Sequence, residues 1–165
     1  MKKKHSLLPL TRGAMIAALY VALTYASSLV GLSSGQIQFR ISEALCILPI
    51  FFPEATLGLT IGCMLANLIT GSIPLDIFVG AFATLLGALG ARLFGKLGWH
   101  RAAGIPTVIA NTLLVPFVIL WSATGGITPI AFLGVAAGVF LGEAVCAGVG
   151  GALLVGWMKQ MKRRK

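Results

Sequence analysis

The sequence alternates between apolar runs and short polar or glycine-rich segments. Six apolar runs can be delimited, over residues 13–30, 40–52, 55–70, 75–94, 104–121 and 129–157. The longer runs reach the roughly 17–25 residues that an α-helix needs to cross the hydrocarbon core of a bilayer. The pattern predicts an all-α integral membrane protein with six transmembrane helices, and residues 1–165 are expected to form a single domain.

Composition supports a membrane protein. The chain is 58% hydrophobic and only 10% charged, with a mean hydropathy of +0.97, which lies far from the range of soluble domains. Its net charge of +9 could indicate nucleic-acid binding, but the basic residues lie at the chain ends and between apolar runs. No basic face or stacking platform is present, so we do not expect nucleic acid as a partner.

The second apolar run is short for a span. Its twelve residues from Ile41 to Phe52 would cover about 18 Å as an α-helix, against a hydrocarbon core of about 30 Å. If all six runs cross, the basic segments 2–12, 92–101 and 159–165 fall on one side, which the positive-inside rule assigns to the cytoplasm. We therefore predict that this run crosses, that both termini are cytoplasmic, and that the first run is a retained helix.

Polar residues are rare in the spans, because charge at membrane depth is costly and is normally kept for a functional site. Only four acidic residues occur in the chain. The predicted topology places Arg40, Glu43, Asn67 and Asp76 near the outer ends of spans two to four. Glu143 lies about halfway along the sixth run and is the deepest carboxylate.

Each of these residues also has a structural interpretation. Arg40 and Glu43, three residues apart on a helix, could pair with each other. Asp76 follows Pro74 and could stabilise a helix start. Asn67 could hydrogen-bond between helices, the role we expect for Asn111. Glu54 is expected to face the N-terminus of the third helix.

The chemistry of this set points to a ligand rich in N–H donors. Three carboxylates against one arginine leave a negative excess, which suits a cation or a base edge with adjacent donors. Tyr25, Phe39 and Trp121 could stack on a flat ring or anchor the protein at the membrane interface. The three cysteines stand singly in apolar runs, so neither a metal nor a redox site is expected. No catalytic constellation can be assembled, and an enzyme is not indicated.

Small residues form a stripe on the first span. Ala14, Ala18 and Ala22 are spaced by four residues and therefore share one helical face. Such a face lets another transmembrane helix approach closely. The stripe predicts a helix-packing or docking surface.

Three blocks of sequence resemble the queuosine-precursor (QueT-type) S components of energy-coupling factor transporters. They are Gln38-Phe39-Arg40-Ile41-Ser42-Glu43-Ala44-Leu45, Gly62-x-x-x-Ala66-Asn67, and Leu75-Asp76-Ile77-x-x-Gly80-x-x-Ala83-Thr84-Leu85. The regions around Asn111 and Gly142-Glu143 are also similar, so the resemblance extends over about residues 13–157. The first block is the most specific of the three.

The resemblance implies a six-helix protein in a bacterial plasma membrane that captures its substrate from outside. The implied substrate is a queuosine precursor, a 7-deazaguanine base, and no cofactor is implied. The implied partners are a transmembrane coupling protein, two ABC-type ATPases and the surrounding membrane lipid. Ala14, Ala18 and Ala22 are the implied docking surface for the coupling protein. Arg40, Glu43, Asn67, Asp76 and Glu143 are the expected substrate-binding residues.

Two other functions remain open at this point. The chain could be an S component for a different vitamin or base, which only ligand binding would distinguish. It could instead be a stand-alone proton- or ion-coupled transporter with Glu143 as the carrier. That mechanism predicts inverted structural halves, and no such pairing is visible between the first three and last three runs.

Overall fold

The protein is all-helical in the part of the chain that the computed structural model describes, residues 7–31 and 39–164. Its elements are, in order, α1 (Leu8–Leu29), a 3₁₀ helix (Ile41–Ile50), α2 (Ala55–Ile69), α3 (Pro74–Lys96), a short 3₁₀ turn (His100–Ala102), α4 (Ile105–Thr124), α5 (Pro129–Glu143), a π-helix (Ala144–Gly150) and α6 (Gly151–Arg163). The last three elements follow each other without a break, so they form one long rod. The six apolar runs of the sequence thus correspond to six consecutive rods.

Four of these stretches are long and apolar enough to span a membrane. They are Leu8–Leu29, Pro74–Lys96, His100–Thr124 and Pro129–Arg163. The other two, Ile41–Ile50 and Ala55–Ile69, are apolar but shorter. By length and composition the chain is therefore a membrane protein.

The short second run forms a 3₁₀ helix instead of the α-helix that its apolar composition predicts. A 3₁₀ helix rises about 2.0 Å per residue, so ten residues extend about 20 Å, whereas an α-helix of the same length extends about 15 Å. This tighter winding gives the short run additional reach. Seven of its ten residues are buried, from Ser42 to Pro49 with Ala44 partly exposed, so it is the central element of the bundle.

The first helix begins earlier than the hydropathy pattern predicts. Residues 8–12 were expected to precede the span, but α1 starts at Leu8 with Pro9 in its first turn. Proline is well tolerated there because the first N–H groups of a helix have no intrahelical partner. Residues 32–38, between the first and second apolar runs, lie outside the described residues.

Glycine allows two of the helix contacts to be unusually close. A Cβ added to Gly58 of α2 would collide with the carbonyl oxygen of Gly13 in α1, and one added to Gly104 would collide with that of Ala147. Backbone-to-backbone approach of this kind is how helices pack in membranes, where small residues replace the missing hydrophobic driving force. The first contact fixes α1 against α2, and the second fixes the start of α4 against the π-helix.

Basic residues from several segments lie at one end of the bundle. Arg12 pairs with Glu54 at 3.6 Å, and its guanidinium lies 5.2 Å from the centre of the Phe52 ring. Phe52 in turn lines a cavity with Lys162 near the end of α6. Glu54 was expected to face a helix N-terminus, but it makes no capping hydrogen bond to α2 and is instead the partner of Arg12.

Candidate functional site

Glu43 is a buried carboxylate on the 3₁₀ helix with both of its oxygens hydrogen-bonded. Its side chain is 1% exposed. The hydroxyl of Tyr20 in α1 donates to Oε1, and the thiol of Cys46 donates to Oε2 over 3.2 Å. Hydrogen bonds to both oxygens are what a buried carboxylate requires. They hold Glu43 in a fixed orientation.

A polar face of α1 carries further contacts to the 3₁₀ helix. Thr24 donates to the hydroxyl of Ser42 over 2.7 Å, and Ser27 accepts the backbone N–H of Ile41 over 3.4 Å. Together with Tyr20 these residues are buried and spaced by three or four positions, so they share one face of the helix. This face was not among the sequence-based predictions, although the spacing of Tyr20, Thr24 and Ser27 is visible in the chain.

Arg40 pairs with Asp76 across two elements. The guanidinium lies 3.5 Å from Oδ2 of Asp76, and Arg40 is 7% exposed. The alternative pairing of Arg40 with Glu43 does not appear as a direct ion pair among the described residues, although Glu43 acts electrostatically on Arg40. Asp76 lies in the first turn of α3, but its partner there is this arginine.

Asn67 connects the same group to α2. Its amide donates to the backbone carbonyl of Asp76 over 3.1 Å, and the residue is 1% exposed. This contact is the interhelical hydrogen bond that was one of its two expected roles. A Cβ added to Gly80 would lie 2.8 Å from Nδ2 of Asn67, so the glycine leaves room for the amide.

Glu143 lies deep in the bundle at the junction between α5 and the π-helix. It is 4% exposed, and its Oε2 has no hydrogen-bond partner among the described residues. Its neighbours include the amide of Asn111 on α4, and the charges of Glu43 and Arg40 act on it. The π-helix begins at the next residue, and interruptions of this kind in an α-helix are frequently found at functional sites.

The structure brings the five sequence-predicted residues into one region, which is buried except for the partly exposed Asp76. Arg40, Asp76 and Asn67 form one contact group, while Glu43 and Glu143 interact electrostatically with each other and with Arg40. Asn111 also belongs here, beside Glu143, and not only at a helix interface as expected. Within the described residues no group of three His, Cys, Asp or Glu could hold a metal ion.

The candidate stacking aromatics are mostly directed away from this region. Tyr25 is 46% and Trp121 is 60% exposed on the outer surface of the bundle, which suits the membrane-interface role. Phe39 is partly buried next to Arg40.

The alanine stripe of α1 faces outward into a groove. Ala14, Ala18 and Ala22 are exposed, and they line a cavity of about 1060 Å³ together with α2 residues such as Gly58 and Ile61. The groove runs along both helices and is almost entirely apolar. We call it the α1–α2 groove; it is open to a helix from outside the chain.

Comparison with known proteins gives two matches. The family model of the QueT transporter matches residues 10–160. The Queuosine precursor transporter QueT of Lactococcus lactis subsp. cremoris (strain MG1363) is 40% identical over 84 residues, which is 50% of this chain and 49% of that protein. The chain thus matches about half the length of this relative, and no solved structure matches it.

The resemblance to the QueT family is confirmed by the extent of the family match. Members of this family are transporters and not enzymes. A match from residue 10 to residue 160 covers every rod of the bundle and all residues of the buried polar region. This chain is a member of the QueT transporter family.

Proposed function

We propose that this protein is the substrate-capture subunit, or S component, of an energy-coupling factor importer, and that it binds a queuosine-precursor base from outside the cell. Family membership and the name of the Lactococcus relative support the transport role and the substrate class. The 7-deazaguanine base of such a precursor presents adjacent N–H donors, and some precursors carry an aminomethyl cation.

The observation that carries this proposal is the buried Oε2 of Glu143, which has no hydrogen-bond partner among the described residues. A buried carboxylate oxygen without a hydrogen bond is costly, and a base edge with two adjacent N–H donors would satisfy it. The Asn111 amide beside it can donate to a carbonyl oxygen of the same edge. Arg40, Glu43, Asn67 and Asp76 complete the proposed binding set, with Glu43 and Asp76 providing negative charge for a cationic arm.

We place the protein in the plasma membrane as a multi-pass protein with six crossings and cytoplasmic termini. The support is the accumulation of basic residues at one end of the bundle, which carries Arg12, Arg101 and the basic end of α6. Basic residues favour the cytoplasmic side. The opposite end, where the Arg40–Asp76 pair lies, then faces outward.

In this proposal, partner proteins supply the energy for transport. A coupling protein would dock a helix into the α1–α2 groove, against Ala14, Ala18 and Ala22, and two ABC-type ATPases would supply the energy. The support is the shape of the groove: small outward-facing residues and exposed apolar side chains from a second helix allow close helix–helix packing.

The test is calorimetric titration of the purified chain, without partners, with 7-deazaguanine precursors. Guanine and several B vitamins serve as controls. Saturable binding with nanomolar to low micromolar Kd for the deazaguanines would support the proposal. Tight binding of a vitamin alone would replace the substrate and keep the S-component role.

A different result would change the class of transporter. If none of these compounds binds, proton- or ion-coupled transport with Glu143 as the carrier becomes the leading hypothesis. A buried carboxylate within a membrane helix is the observation that favours it. That hypothesis predicts uptake by the chain alone in vesicles with an imposed pH gradient.

A further inference from the structure

A second groove lies on the other side of the bundle, along the π-helix and α6. Its volume is about 720 Å³, and the residues that matter for its chemistry are Arg101, Gly148, Ala152, Gly156, Trp157 and Gln160. We call it the α6 groove. Small residues form part of its floor, and a Cβ added to Gly156 would meet no atom within 4 Å.

The length and position of the α6 groove match one leaflet of a bilayer. It extends from Ala144 to Gln160 along the rod, which is at most about 24 Å because the α-helical part rises 1.5 Å per residue and the π-helical part rises less. Half of a bilayer, headgroup region included, is about 20–22 Å thick. Gln160 belongs to the basic end of the bundle, so the other end of the groove lies near the membrane midplane.

The polar groups of the α6 groove are confined to its basic end. Arg101 is exposed, and the ion pairs among the described residues use Arg12 and Arg40 instead. The segment that carries Arg101 is held in place, because Gly104 packs directly on the backbone of Ala147. Arg101, which has no ion-pair partner among the described residues, therefore lies at the basic end of this groove together with Gln160.

We propose that the α6 groove binds an anionic phospholipid. One acyl chain lies along Gly148, Ala152 and Gly156, and the phosphate contacts Arg101 and Gln160 at headgroup level. Charge complementarity favours this occupant over a transmembrane helix, which would enclose the arginine in a helix–helix interface. Trp157, 57% exposed at the rim, is a residue type enriched at the membrane interface.

The test uses Trp157 as a reporter in the full chain. Trp99 and Trp121 are replaced by Phe, and the protein is reconstituted in phosphatidylcholine vesicles containing an equal mole fraction of brominated phosphatidylglycerol or brominated phosphatidylcholine. Bromine quenches tryptophan fluorescence on contact. We expect the anionic lipid to be enriched near Trp157 by about fivefold, the effect of one basic residue at an anionic surface.

Two matched pairs of variants separate the headgroup contact from the groove. Arg101→Gln should bring the enrichment close to one, whereas Lys96→Gln, an exposed cation at the same end but outside the groove, should preserve it. Gly156→Leu should reduce quenching by both lipids because it fills the groove. Gly134→Leu, at a position that is equally open, should leave quenching unchanged.

Two results would overturn the proposal. Equal quenching by the two lipids in the unmodified chain would show that no anionic headgroup is selected. Quenching that is weak with both lipids and falls further as the protein density rises would show that a second copy of the chain occupies the groove. Neither result bears on the proposed substrate, which is tested by binding in detergent.

Discussion

The buried carboxylates Glu43 and Glu143 differ in what their oxygens contact. Both oxygens of Glu43 accept hydrogen bonds within the bundle, whereas Oε2 of Glu143 has no partner among the described residues. Removing a group whose partners are internal affects the folded state itself. Removing a carboxylate whose oxygen has no hydrogen-bond partner among the described residues affects the binding of a ligand to that oxygen. A substitution at Glu43 is therefore expected to lower stability as well as binding, whereas one at Glu143 should lower binding alone.

Glu143→Gln should weaken binding of the queuosine precursor and leave the fold intact. The loss should be at least about tenfold in Kd, because a hydrogen bond to a charged group contributes roughly 1.5–3 kcal/mol. Calorimetry on the purified variant measures it. Glu54→Gln, at the basic end of the bundle, is the control and should bind normally. Unchanged affinity in Glu143→Gln would place this carboxylate outside the site.

Tyr20→Phe should destabilise the folded chain. It removes the hydroxyl that donates to Glu43 and leaves a buried carboxylate oxygen unpaired, at a cost of about 1–3 kcal/mol. The free energy of unfolding in detergent measures the effect. Tyr25→Phe, on the same helix but 46% exposed, is the matched control. Equal stability of the two variants would contradict the role of this hydrogen bond.

The sequence predicted the charged part of this region better than its neutral part. Arg40, Glu43, Asp76 and Glu143 stand out because ionisable residues are expensive in a membrane. Tyr20 does not, because tyrosine is common in membrane helices and its partner comes from another element. The same reason explains why the pairing of Arg40 with Asp76, 36 positions away, was not found from helical spacing.

At the scale of elements, the rods were predicted and their internal geometry was not. The length of an apolar run predicts where a helix lies. The 3₁₀ helix is buried on nearly every side, so its sequence shows no alternation of apolar and polar positions from which the type of helix could be predicted. The change to a π-helix after Glu143 likewise cannot be predicted from the sequence, because residues 144–150 are all small or apolar. Both irregular elements adjoin the buried polar region.

Ala18→Leu should abolish transport and preserve substrate binding. The larger side chain would occupy the α1–α2 groove, where small residues allow a helix to approach. Uptake in cells containing the ATPases and coupling protein, together with calorimetry on the purified chain, measures the two effects. Ala26→Leu is the control, because Ala26 is exposed on α1 but does not line the groove. Retained transport in Ala18→Leu would remove the groove as the docking surface.

At the scale of the whole molecule, the proposed topology depends on the 3₁₀ helix crossing the membrane. Cysteine labelling tests it, and the native background is low because Cys46, Cys63 and Cys146 are buried. A membrane-impermeant maleimide added to intact cells should label Ser72→Cys. It should label Pro53→Cys only after permeabilisation.

Two further positions calibrate this experiment. Gly126→Cys should behave like Ser72→Cys, and Lys159→Cys should behave like Pro53→Cys. Labelling of Pro53→Cys and Lys159→Cys in intact cells, with Ser72→Cys and Gly126→Cys protected, would show that the 3₁₀ helix does not cross and that five rods span the bilayer.

The shortness of α2 has a mechanical consequence for the surrounding bilayer. Its fifteen residues are about 22 Å long, against a hydrocarbon core of about 30 Å. One face of α2 is exposed, with Leu57, Ile61, Leu65 and Leu68 turned outward. Lipids next to that face must compress, and each ångström of mismatch costs a fraction of a kcal/mol.

The isolated chain should therefore unfold at a higher temperature in short-chain than in long-chain phosphatidylcholine vesicles. Independence from chain length would show that the bilayer is not deformed. A partner helix in the α1–α2 groove would cover the compressed boundary and release that elastic energy. Membrane thickness would then act on assembly as well as on stability, and thicker bilayers would favour the docked state.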